Sequence, residues 1–119
     1  MNLLLKIAAV LELATGVAFM IGPSFCAQLL LGEQLTGVSL IVGRVGGIGL
    51  FSLGLAYWPR KGATHSALFA ILAYNVLLTV YLLYLAIQNQ FVGVLLWPAV
   101  VLHAVLATLS ARVHFAVRP

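Results

Sequence analysis

VGRVGGIGLF, residues 42–51, sets a single arginine in a run of glycines and aliphatic side chains. No other charged residue stands between Glu33 and Arg60, so the segment has no wettable face. It reads as a helix surrounded by hydrocarbon or by other helices. Leaving the Arg44 guanidinium alone in that setting costs about 2.5–3.5 kcal/mol on insertion scales, so it is expected to turn inward and pair.

The rest of the chain has the same character. Of its 119 residues 64% are hydrophobic and 7% are charged, whereas a typical soluble domain is about 25% charged. Four apolar stretches, near Leu3–Ile21, Thr36–Trp58, His65–Ile87 and Phe91–Ala111, approach or exceed the ~20 residues that a helix needs to cross a hydrocarbon core. They lack the alternation of barrel strands, and a lone strand in lipid leaves its backbone groups unsatisfied. The expected fold is therefore all-α: one integral membrane domain over residues 1–119, a four-helix bundle built from two antiparallel hairpins. The very short link Gln88-Asn89-Gln90 requires the last two spans to be antiparallel neighbours.

Lys6, Arg60, Lys61, Arg112 and Arg118 fall at the end of this bundle shared by the termini and the second connection. The other end carries Glu33 and no lysine or arginine, which under the positive-inside rule predicts both termini in the cytoplasm. The formal charge of +4 then reports topology. It forms no phosphate-tracking stripe, so the bilayer, and not nucleic acid, is the expected partner. Lys6 followed by an apolar run resembles a secretory signal, but Glu12 interrupts the run and Pro23-Ser24-Phe25 precedes Cys26, so the segment reads as a retained span. Cys26 is the sole cysteine and has no intrachain disulfide partner.

In the first connection Ser24 is expected to cap a short helix and Gly32 to end it, with the apolar FCAQLLL between them lying at the membrane surface. Pro98 falls inside the fourth stretch. A helix beginning at Trp97 leaves only about 14 residues, or about 21 Å, so a kink in a longer helix is the preferred reading.

Each span carries a polar residue well inside the bilayer. Helical rise puts Glu12 about 13–15 Å, Arg44 about 12 Å, and Asn75 and His103 about 18 Å from the non-cytoplasmic end of their spans. Glu12 and Arg44 match in depth on consecutive antiparallel helices, which predicts an intramembrane ion pair. The layer has two readings: a structural polar core, or a binding site for a small ligand, ion or proton.

Gly43, Gly47 and Gly54 mark a helix-packing face on the second span. A GxxxG pattern permits close approach within one bundle or between copies. Tyr57, Trp58, Tyr84 and Trp97 read as interfacial anchors, whereas Tyr74 and Tyr81 lie deeper, as core or as the wall of an apolar pocket. His65 and His103 differ too much in depth to ligate one haem, and no Cys, Asp or Glu joins His65 and His114. No metal, cofactor or catalytic residue is expected, since the spans hold one acid and no nucleophile motif.

The strings LELATG, VGRVGGIGLFSLGLAYWP and LLWPAVVLHAVLA resemble those of small four-helix inner-membrane proteins of bacteria, and the layout is similar to that of DoxX-like membrane proteins. The resemblance implies a four-helix inner-membrane fold and transfers no functional residue. The leading expectation is a non-enzymatic membrane protein that self-assembles or joins a larger membrane complex through its glycine-rich second span. The alternative is binding or transport of a small or amphipathic molecule at the polar layer of Glu12, Arg44, Asn75 and His103.

Overall fold

The computed structural model describes residues 1–62 and 64–117, and Arg118 lies outside them. Five helices follow in order: α1 (Asn2–Ile21), α2 (Pro23–Leu31), α3 (Val38–Tyr57), α4 (Thr64–Gln88) and α5 (Leu96–Val117), with no strand among the described residues. Four of these, α1, α3, α4 and α5, are long and apolar enough to cross a membrane. Their 20 to 25 residues correspond to about 30–38 Å at 1.5 Å per residue. The all-α bundle of four spans is as the sequence predicts.

The bundle consists of two tight pairs, α1 on α3 and α4 on α5, that touch each other more sparsely. Near the termini, Leu5, Ala8 and Ala9 of α1 pack with Tyr57 of α3 and Ala67 and Ile71 of α4. Near the opposite end, Leu82 and Ala86 of α4 pack with Leu96 and Val100 of α5, and Leu30 and Leu31 of α2 lie against them. Between these two apolar clusters the pairs separate.

Glycine makes the α1–α3 contact possible. A methyl group added at Gly16 would sit 2.7 Å from the Gly47 carbonyl oxygen, one at Gly47 2.7 Å from the Gly16 carbonyl oxygen, and one at Gly54 2.8 Å from the Leu13 amide nitrogen. The two backbones therefore meet directly, with hydrogen in place of side chains along the seam. Gly43 faces the Pro23 and Leu35 side chains instead, while Gly46 and Gly49 have open space beside them.

Three local expectations need correction. Gly22, not Ser24, is the N-cap of α2; Pro23 occupies the first turn, and Ser24 Oγ accepts the Leu35 amide at 3.0 Å, tying the next loop back onto α2. Gly32 ends α2 as expected, in the left-handed conformation at φ 75°. Pro98 does not kink a helix beginning near Phe91. Residues 91–95 are connection, α5 starts at Leu96, and the missing proline amide falls in the first turn, where no intrahelical acceptor awaits it. The span keeps its length because the helix continues to Val117, past the predicted end at Ala111.

Gly47→Ala should destabilise the protein by about 1–3 kcal/mol through overpacking. Gly49→Ala, on the open face of the same helix, should be neutral or stabilising by up to ~1 kcal/mol. Unfolding of the reconstituted protein followed by far-UV circular dichroism checks this ordering; equal effects at both positions would contradict the seam.

Candidate functional site

The seam decides where the polar side chains point. On α1 the residues against α3 are Ala9, Leu13, Gly16 and Met20, and Glu12 lies on the flank that turns toward α4. It is buried, at 4% exposure, and shares a side-chain hydrogen bond with Tyr74 of α4. On α3 the flank toward α4 holds Leu50, Leu53 and Tyr57, whose hydroxyl donates to the Ala70 carbonyl at 3.4 Å. Arg44 is on the other flank and is exposed, among exposed Ile41, Val45 and Ile48.

The expected Glu12–Arg44 ion pair is consequently not found among the described residues. Equal depth does not bring two side chains together when the helices between them meet backbone to backbone and their flanks diverge. The partner of Glu12 is Tyr74, which sequence reasoning noticed only as core or pocket wall. The available signal was its place beside Asn75, one residue away at the same level. Tyr81, assigned to the same face, is exposed and stacks near Tyr84 at 6.4 Å.

Asn75 and His103, by contrast, are brought together. Asn75 Nδ2 donates to the Ile71 carbonyl at 2.8 Å, which leaves its Oδ1 as the acceptor facing His103 Nδ1 at 2.7 Å. The histidine must therefore carry its proton on Nδ1, and Nε2 of the neutral ring is left as an acceptor. The Tyr74 ring meets the His103 ring edge to face, with centroids 6.0 Å apart. Glu12, Tyr74, Asn75 and His103 thus form one polar layer on α1, α4 and α5, from which Arg44 is absent.

This layer borders a cavity of about 840 Å³ in the gap between the two helix pairs. Leu78 and Leu82 of α4 form its floor, and Phe25, Cys26 and Leu29 of α2 its roof. Its walls are α1 and α5, where Ala14, Thr15 and Ala18 on one side and Pro98 and Leu102 on the other line the space and are themselves exposed. The cavity is therefore a groove that opens sideways between α1 and α5, at the level of the hydrocarbon. Its lining is apolar apart from Glu12, Thr15, Cys26, Tyr74 and His103.

The roof is held by backbone. Leu95 N–H donates to the Leu29 carbonyl at 2.8 Å and Gly93 N–H to the Leu30 carbonyl at 3.0 Å, so the last carbonyls of α2 are satisfied by the α4–α5 connection. Partial burial raises the Cys26 thiol above its usual range. Among the described residues no group of three or more His, Cys, Asp or Glu is placed to hold a metal. At the terminal end His114 lies between the rings of Phe69 and Phe115, far from His103 along α5.

No protein family, curated protein or solved structure matches this chain.

Two measurements test this geometry. Arg44→Leu should not lower the unfolding free energy, since it removes an exposed guanidinium with no buried partner from an apolar face; a loss of more than about 1 kcal/mol would reinstate a charge pair. In a double-mutant cycle Asn75→Val and His103→Phe should couple by ~0.6–1.7 kcal/mol, the range of interhelical hydrogen bonds in membranes, and independent effects would break the Asn75–His103 link.

Proposed function

We propose that this protein holds a long-chain, largely apolar molecule in the groove between its two helix pairs. The observation that carries this reading is the laterally open cavity of about 840 Å³, apolar over most of its lining and polar at one level. That is the composition of a small-molecule site, in which apolar walls supply affinity and a few polar groups set orientation. The opening between α1 and α5 lets a molecule dissolved in the bilayer enter without crossing water. The reading is one of binding, with no catalytic step assigned.

The same proposal sets the chain in a bacterial inner membrane with both termini in the cytoplasm. Exposed Lys6, Arg60, Lys61 and Arg112 at the terminal end, against Glu33 at the α2 end, support that orientation. The groove then lies toward the outer leaflet of that membrane.

Self-assembly, or docking as an accessory subunit, is a second reading with an observation of its own. Gly47 and Gly54 are taken up by packing on α1 and Gly43 by Pro23 and Leu35, so an assembly face on α3 would use Gly46 and Gly49, which point outward with nothing beside them.

Weighed by native mass spectrometry after gentle extraction, the wild-type protein should retain one long-chain molecule. Ala99→Trp, which sets an indole into the groove wall, should lose it while keeping its helical content. A bare chain mass for wild type, or equal retention by the variant, would remove the binding reading.

A further inference from the structure

The polar groups that the groove offers are nearly all acceptors. Tyr74 uses its hydroxyl hydrogen on Glu12, and the Thr15 hydroxyl donates to the Leu11 carbonyl at 2.7 Å. His103 uses its Nδ1 proton on Asn75, which leaves Nε2 as a lone pair. The Glu12 carboxylate has two oxygens and one hydroxyl partner. With Glu12 ionised, and apart from the Cys26 thiol, a weak donor at the α2 end, no groove-lining side chain has a hydrogen left to give.

Charge points the same way. Glu12 is the only acid in the four spans, and Arg44, the one cation of comparable depth, faces away from the groove. Lys6, Arg60, Lys61 and Arg112 near the terminal end do not line it either. Among the described residues an ionised Glu12 therefore lacks a countercharge, while Phe19, Phe25 and Tyr74 bring aromatic rings to the groove, and ring faces attract a cation within about 6 Å.

Resting on the binding role proposed above, we infer that the preferred occupant is a long-chain ammonium: a primary or secondary amine, protonated at neutral pH, on an aliphatic tail. Its N–H groups donate to the Glu12 carboxylate and to His103 Nε2, and its charge is balanced by Glu12. The tail lies along Leu78, Leu82 and Leu102. A fatty acid of the same length sets a second carboxylate against Glu12 and offers no donor. A long-chain alcohol fills the same apolar space with one donor and no charge.

The experiment compares four probes of equal chain length, namely dodecylamine, dodecyltrimethylammonium, dodecanol and dodecanoate. Each is titrated against the whole protein in phosphatidylcholine nanodiscs, with empty discs as the reference. Dodecylamine should bind about tenfold more tightly than dodecanol, the increment of one charge-assisted hydrogen bond, with dodecanoate weakest. Glu12→Gln should remove the preference of amine over alcohol. His103→Phe should weaken dodecylamine while leaving dodecyltrimethylammonium, which has no N–H, unchanged. Equal binding of dodecanol and dodecylamine by the wild type, or an intact amine preference in Glu12→Gln, overturns the ammonium assignment and leaves the groove reading standing. Binding of none of the four probes overturns the groove reading itself. If Glu12→Gln does not fold, the ranking measured on the wild type decides alone.

Discussion

The direct contact of two backbones, Gly16 on α1 against Gly47 on α3 and Gly54 on α3 against the Leu13 and Ala9 backbone of α1, is the constraint from which the rest of the arrangement follows. Once those helices touch with only hydrogen between them, the residues flanking the seam diverge. Glu12 turns to α4 and Arg44 to the periphery. Because the seam is narrow, α1 and α3 behave as one wide slab, and a second slab of α4 and α5 meets it only where side chains are large enough to bridge. Those bridges are the two apolar clusters at opposite ends of the bundle, one around Tyr57 and Ile71, the other around Leu82 and Leu96. The groove is what remains between them.

A polar layer in the middle of an apolar slab is stabilised when its donors are taken up by acceptors within the layer. Asn75 acts as the hinge of that closure, since its amide bonds its own helix through Ile71 and fixes the His103 tautomer on the next. Glu12 and Tyr74 form the second link, across from α1 to α4. Together they tie three helices at one depth without adding bulk, and this is how the slabs stay registered while leaving space beside them.

The short α2 helix completes the enclosure. Its C-terminal carbonyls would be orphaned at a membrane surface, and the amides of Gly93 and Leu95 satisfy them. That exchange accompanies the non-helical course of residues 91–95, in which the Gly93 and Leu95 amides are directed to α2 rather than along their own chain. Ser24 plays a similar part on the other side by holding the Leu35 backbone.

Much of this was legible in the residues themselves. Hydrophobic length determined four spans and their antiparallel order, because no other structure satisfies so many backbone groups in hydrocarbon. Small residues at helical spacing identified α3 as a close-packing helix, and helical rise put Asn75 and His103 within reach of each other. Tertiary structure alone decided which flank each side chain occupies. Depth along a helix is linear in sequence, whereas the direction a side chain faces depends on which of several small-residue stripes the neighbour selects. Gly43, Gly46, Gly47, Gly49 and Gly54 offered more than one stripe, and α1 took the Gly47–Gly54 one. That choice sent Arg44 outward, gave Glu12 a tyrosine in place of a guanidinium, and left a groove that no periodicity in the sequence encodes.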